Sequence, residues 1–308
     1  MGIWGNNMNN EYKIMYIKTK KKIRKIVTYN NQKQKEMHNY INNKILTAYK
    51  PSIFAKGYIK GESIYSNVSA HMYNNYFFKT DIKDFFPSIN HNKLALELYK
   101  EIKNIATIKD CRDIIDKCSC GNKGLPLGFI TSPLLSNIYL KRFDIMLYHK
   151  LKYFDCDNIV YTRYADDIVI SFKKSDIQLL DLQRQIYTLL KECLRNYNLK
   201  INEKKTKFIV FEKSKQVRLT GVTITERQGK RRISIGRNQK RKYFYDVINL
   251  AKEKKSKRNK YQVNRLKGLL SFYLSIEKKE FENFISNNMK KELYKHNCKT
   301  LCELVKKL

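Results

Sequence analysis

Acidic residues are scarce in this 308-residue sequence: 28 Asp+Glu stand against 63 Lys+Arg, a formal net charge of +35. Proline is scarcer, with four, and there is one tryptophan. No apolar run approaches the roughly 18 residues of a membrane span, which excludes a helical span in this sequence. The first ten residues, MGIWGNNMNN, lack the basic-then-apolar layout of a secretory leader and carry no lipidation signature, so a cytoplasmic protein without membrane attachment is expected. Cysteine totals seven, an odd number scattered at 111, 118, 120, 156, 193, 298 and 302, which suits a reducing compartment better than a disulfide framework. Two paired short spacings, as zinc requires, are missing.

What is present argues for a folded chain. With 42% hydrophobic and 12% aromatic residues, the sequence can bury a sizeable core and is no solvated polycation. Its length suggests several lobes rather than one core. The charge calls for a polyanion: nucleic acid, an anionic membrane surface or an acidic protein. Residues 204–308 carry 30 Lys+Arg against 9 Asp+Glu, a net +21, interleaved with aromatics as in Arg241-Lys242-Tyr243-Phe244-Tyr245. Cations beside rings suit backbone neutralisation and base stacking, which favours nucleic acid.

Residues 11–30 read as a hairpin around a basic turn, and 31–50 as a helix closed by Pro51. An apolar strand over 76–82 ends at Asp81 and turns into a helix over 90–102. A glycine-rich loop, 121–128, leads to Thr131-Ser132-Pro133, which opens an apolar helix to about residue 151. Residues 159–172 form a hairpin with Asp166-Asp167 in its turn. A helix over 175–197 and strands over 207–211 and 217–225 follow, and the remainder reads as mostly helical. If the strand ending at Asp81 neighbours the hairpin, three carboxylates converge at one edge. Carboxylate oxygens suit Mg2+, which keeps substrate phosphates in its shell, and a pair of such ions about 4 Å apart can promote in-line phosphoryl displacement. An isolated Asp-Asp pair is usually turn chemistry; its surroundings decide.

Those surroundings are Tyr164-Ala165-Asp166-Asp167 within that hairpin, and here the sequence resembles the reverse transcriptases. Phe78-Lys-Thr-Asp81-Ile-Lys-Asp-Phe-Phe86-Pro-Ser resembles their motif A. The resemblance implies Asp81, Asp166 and Asp167 as catalytic metal ligands, with the Ile82 carbonyl assisting, and Phe86 as the aromatic gate against a 2'-hydroxyl. Gly124-Leu-Pro-Leu127-Gly128 resembles motif B, with Leu127 where the family usually has Gln; Leu127 and Gly128 are implied at the nucleotide. Lys21-Lys22-Ile-Arg24 resembles the fingers element, implying that Lys22 and Arg24 grip the triphosphate. Asn202-Glu-Lys-Lys205 resembles motif D, whose lysine is proposed to protonate the leaving pyrophosphate; Lys205 is the best match, with Lys204 adjacent.

Asn67-Val-Ser-Ala-His71 and Leu219-Thr220-Gly221 resemble elements of the retron branch, and Gly268-Leu-Leu-Ser-Phe-Tyr-Leu-Ser275 its thumb segment. They imply nucleic-acid contacts by Asn67, His71, Tyr164, Thr220 and Gly221. The fold expected is α+β, a right-hand polymerase: fingers over 1–75 and 90–125, a palm with an antiparallel sheet over 76–89 and 126–235, and a basic helical thumb over 236–308. The resemblance further implies an RNA-directed DNA polymerase using dNTPs and two Mg2+ ions, or Mn2+ in their stead. It would copy a cognate structured non-coding RNA into single-stranded DNA, primed by an RNA 2'-hydroxyl to give branched msDNA. A toxin or effector partner and a role in antiphage defence are implied with it. Two alternatives stand: a group II intron-like or abortive-infection-type reverse transcriptase, and a catalytically idle basic RNA-binding protein.

Overall fold

The computed structural model describes residues 12–18, 23–175, 178–254, 256 and 258–308. Its contacts divide them into two units, one of residues 12–67 and 74–211, the other of 68–73 and 212–308.

The first unit begins with an antiparallel hairpin, β1 (Tyr12–Lys18) and β2 (Ile23–Tyr29), and helix α1 (Gln32–Ala48). Asn31 caps α1 by accepting from the Gln34 amide, supplying one of the donors a helix start leaves open. After α2 (Ile64–Ser69), strand β3 (Tyr76–Asp81) enters the centre of the unit. It leads through the short helix α3 (Phe85–Ser88) to α4 (His91–Ile102) and α5 (Ile108–Lys117). The long helix α6 (Ser132–Leu151) starts at a proline in its first turn, where a missing N–H costs nothing.

A minor pair, β4 (Cys156–Asp157) and β7 (Lys174–Ser175), brackets the hairpin of β5 (Val160–Tyr164) and β6 (Asp167–Phe172). Helix α7 (Leu179–Arg195) and strand β8 (Lys207–Val210) complete the main sheet, whose order is β5-β6-β3-β8, antiparallel throughout. Helix α6 is buried on most of its surface, with Leu135, Ile138, Leu140, Phe143 and Leu147 inside, so it forms the axis of the core rather than a surface helix.

The second unit's main segment opens within the short helix α8 (Phe211–Ser214). It holds a three-stranded sheet, β9 (Gln216–Leu219), β10 (Val222–Arg227) and β11 (Lys230–Ser234), with β10 central. Helices α9 (Arg237–Lys252), α10 (Lys260–Glu277), α11 (Asn287–Lys295) and α12 (Leu301–Lys307) follow. Glu277 ties this unit together: its carboxylate accepts from Lys240 Nζ at 2.6 Å, the Ile235 amide at 2.7 Å and Ser234 Oγ at 3.0 Å.

The single strand expected over 217–225 is two strands, because Thr220 (φ 44°) and Gly221 (φ 89°) both take left-handed backbone. They form a two-residue hairpin turn that pairs Leu219 with Val222. Gln228 and Gly229 do the same between β10 and β11, a hairpin where the sequence pattern predicts mostly helix. The helix expected over 175–197 spans Leu179–Arg195.

Candidate active site

The register of the main sheet sets Asp81, the last residue of β3, opposite Asp167, the first of β6. Directly opposed residues have Cβ atoms about 5 Å apart, so two carboxylates meet at one sheet edge. Asp166 precedes Asp167 in the turn, and its carbonyl accepts the Ile82 amide at 3.0 Å, so the backbone pairing continues past the strand end. The hairpin and the end of β3 therefore bring the three carboxylates close enough for Asp81 to add to the burial-driven rise of the Asp166 and Asp167 pKa values, though among the described residues they are not drawn in to the spacing of a closed metal-ligating group.

Residues 200–206 run alongside. The Lys83 amide donates to the Lys200 carbonyl at 2.8 Å, the Asn202 amide to the Asp81 carbonyl at 2.9 Å, and the Thr80 and Thr206 hydroxyls meet at 2.7 Å. This zipper delivers Lys205 Nζ to Asp81 Oδ2 at 2.7 Å, with Asn202 Nδ2 on the same oxygen at 3.3 Å. Lys204 instead lines a neighbouring cavity of about 1000 Å3 with Lys83, Lys191, Arg195 and Lys200. Geometry thus separates two lysines that the sequence left side by side. Asn202 escaped the sequence reading, which weighed only the lysines of its motif.

The electrostatics follow from crowding. Burial, then the charges of Asp166 and Asp81, push the Asp167 carboxyl up to about 6, against the pull of Lys205 and Lys79. Asp166 is raised as well, by burial first and by Asp81, while Lys205 and Arg24 oppose the rise. The Lys205 ammonium is raised by its hydrogen bond to Asp81 and by the other two carboxylates, with burial opposing.

A carboxyl with a folded-state pKa above its unfolded value, roughly 4 for Asp, destabilises the fold when it ionises. That cost is absent at lower pH and complete above about 6. In chelator, the melting temperature of the wild type relative to Asp167→Asn should therefore fall as pH rises from about 4 to about 7 and level off above. A difference that does not vary with pH would contradict the arrangement.

Arg24, on β2, is exposed and lies within electrostatic reach of Asp166 and Tyr58, where its charge partly offsets the burial-driven rise of both pKa values. Lys22 lies outside the described residues. The glycine-rich loop is stitched on two sides. On one, the Leu125 amide donates to the Phe86 carbonyl at 2.9 Å and the Gly124 amide to the Ile89 carbonyl at 2.9 Å. On the other, the Val27 amide of β2 donates to the Leu127 carbonyl at 2.7 Å. Leu127 is half-buried and Gly128 exposed, and a Cβ on Gly128 would collide with the Val27 carbonyl. Phe86 is buried, with its ring edge-on to Phe85 at 5.4 Å. Ile82 is buried, Tyr164 half-buried. Tyr58, left-handed at φ 63°, has its pKa raised by burial first and then by the Asp166 charge, which makes it a further neighbour that no motif signalled.

Asn67 and His71 depart from expectation. Their side chains are 1% and 0% exposed, and burial pushes the His71 imidazole down to about 3, which keeps it neutral at physiological pH. His71, expected in a polar loop against RNA, is an internal residue of this structure. Thr220 and Gly221 occupy the β9–β10 turn of the second unit.

Three acidic residues at one antiparallel sheet edge, an ammonium on one of them and a guanidinium within electrostatic reach of another are the equipment of a nucleotidyl-transfer site. Residues 14–224 match the reverse transcriptase (RNA-dependent DNA polymerase) family, and the chain belongs to it. Within that family it is of the retron type. It is 26% identical to the retron Ec86 reverse transcriptase of Escherichia coli over 254 residues, covering 82% of this chain and 72% of that one. It is 34% identical to the retron Ec73 enzyme of the same organism over 148 residues, 46% of this chain and 47% of the relative. Among solved structures, telomerase from Candida albicans in complex with a TWJ fragment of telomeric RNA superposes with a TM-score of 0.52 at 12% identity, over 96% of this chain and 60% of that one. At that identity the likeness speaks for the fold alone: the α+β right-hand polymerase fold.

Proposed function

We propose that this RNA-directed DNA polymerase copies part of a cognate structured non-coding RNA into single-stranded DNA, with dNTPs as substrates and Mg2+ held by Asp81, Asp166 and Asp167. The observation that carries the reading is Asp81 Oδ1: it is buried and, among the described residues, has no hydrogen-bond partner, while Oδ2 is held by Lys205 and Asn202. A buried carboxylate oxygen left open beside two further carboxylates fits a hard divalent cation. When bound, the metal supplies charge neutralisation for the phosphates and acidity for the attacking hydroxyl.

The chain's own residues do the rest. Lys205 is poised to hand a proton to the departing pyrophosphate, and Arg24 to clamp phosphate oxygens, with Lys22 assigned beside it. Phe86 forms the wall beneath the sugar, and the Leu127-Gly128 backbone borders the nucleotide. We assign residues 1–75 and 90–125 to fingers, 76–89 and 126–235 to palm and 236–308 to thumb; β9–β11 would then serve the palm while packing with the C-terminal helices. The basic C-terminal third would hold the RNA and its DNA copy.

Kinship with retron enzymes supports the finer reading: priming by an RNA 2'-hydroxyl to give a branched RNA–DNA, a toxin or effector partner, and antiphage defence in the cytoplasm. Sequencing the nucleic acid that copurifies with the protein tests it. A structured RNA joined through an internal 2'-oxygen to a complementary DNA is expected; unbranched DNA of unrelated sequence would overturn it. Phe86→Val should raise ribonucleotide use relative to dNTP by at least about tenfold, since the smaller side chain opens room for the 2'-hydroxyl. Unchanged discrimination in competition assays would place the gate elsewhere.

A further inference from the structure

On β5, two residues before the turn at Ala165-Asp166, stands Arg163, the bulkiest fully buried side chain among the described residues. Its guanidinium grips Asp144 with two arms, Nε to Oδ1 at 2.7 Å and Nη2 to Oδ2 at 2.8 Å. The remaining arm, Nη1, donates to Asn137 Oδ1 at 3.0 Å and to the Ala165 carbonyl at 3.2 Å. Asp144 also accepts from Tyr161 Oη at 2.7 Å, and both partners of the ion pair are 0% exposed. Asn137 and Asp144 lie seven residues apart on α6, two turns along one face.

What this network grips is a strained point. Ala165 has φ 57°, the left-handed region that disfavours any residue with a Cβ. It is held from both sides. Arg163 takes its carbonyl, while the Gly57 backbone packs so tightly on its amide that a Cβ on Gly57 would lie 2.7 Å from that nitrogen. Asn137 links the two holds, because its Nδ2 donates to the Gly57 carbonyl at 2.9 Å. Burial pulls the Arg163 pKa down and Asp144 more than restores it, so the charge persists. A buried ion pair is expensive, and apolar side chains of equal volume often stabilise as well or better. They could not donate to the Ala165 carbonyl.

We propose that Arg163 is a positioning residue of the polymerase site: Asp144 and Asn137 aim its guanidinium at the Ala165 carbonyl, which fixes the left-handed turn that sets Asp166 and Asp167 against Asp81. This rests on the reading that those carboxylates hold the metal. Lysine keeps the charge but, as a single point, cannot span Asp144, Asn137 and Ala165 together.

The test uses the full-length protein with its copurified RNA. Arg163→Lys should keep its melting transition yet lose about 100-fold in kcat, the scale of an ångström-size misplacement, with dNTP KM within about threefold. Mn2+ binding followed by electron paramagnetic resonance should weaken, and amide exchange over residues 164–167 should quicken while β3 stays protected. Wild-type kcat and Mn2+ affinity in Arg163→Lys would overturn the proposal if Asp166→Asn, measured alongside, is inactive. An active Asp166→Asn would instead overturn the metal reading. Should Arg163→Lys fail to fold, Asn137→Ala decides, because it leaves the ion pair whole. A folded protein slowed about tenfold is then expected. Unchanged kcat, or failure of both variants to fold, would reduce the network to a requirement of the core and overturn the proposal.

Discussion

Asp166→Asn should abolish DNA synthesis, with primer extension falling at least about a thousandfold, while RNA affinity stays within about threefold. The substitution keeps the shape of the side chain and removes one charge. That charge is held under protest: burial and Asp81 raise the Asp166 pKa, so the protein supports an ionised group it would more comfortably protonate. Relief of the repulsion should make the metal-free variant more stable than the wild type, seen as a higher melting temperature. Gain of stability with loss of activity marks a site arranged for chemistry rather than for folding. Chelator-treated protein measured by calorimetry, with extension assayed on the copurified RNA, checks both halves. An idle RNA-binding protein would have no synthesis to lose, and an Asp166→Asn variant that still extends would remove Asp166 from the metal site.

Gly128→Ala should cost nearly as much by a different route. Gly128 has φ 116°, outside the range that L side chains accept, and its Cβ would collide with the Val27 carbonyl while touching Ile26 Cγ2 at 3.1 Å. The strand cannot retreat, because the Val27 amide is bonded to the Leu127 carbonyl one residue away. The backbone strain alone is on the order of 1–3 kcal/mol. We expect β2 to come away from the loop, synthesis to fall at least about 100-fold through loss of the Arg24 position, and proteolysis to increase between residues 12 and 29. Gly229→Ala is the control: it also has positive φ, 70°, but nothing lies within 4 Å of its added Cβ, so synthesis should change little. Equal losses in the two variants would mean that strain, not the collision, governs.

The site was legible in the sequence to the extent that local chemistry defines it. The strand ending at Asp81 and the hairpin bearing Asp166-Asp167 were readable because apolar β-branched and aromatic residues flank each carboxylate, and only their pairing needed the structure. Helix α6 was readable from its Ser-Pro start and long, largely apolar run, though the burial of its first half on nearly every side masks helical periodicity. Long-range contacts were not legible. Motif resemblance alone favours Lys205 over its neighbour Lys204; the backbone zipper between 80–83 and 200–206 separates them physically. His71 looked like a polar loop residue because polar neighbours surround it in sequence, whereas tertiary packing buries it. Arg163 read as one more cation among 63 Lys+Arg, since only the fold brings Asp144 beneath it. The β10–β11 hairpin went unread although Gln228-Gly229 between β-rich runs signals it, masked by the basic residues on either side.

The most direct measurement of the central claim changes one base of the copurified RNA within the copied stretch and sequences the DNA made with dNTPs and Mg2+. The account predicts DNA carrying the complementary change at that position from the wild type, and no DNA from Asp166→Asn. DNA that stays the same when the RNA changes, or that persists in Asp166→Asn, would contradict it.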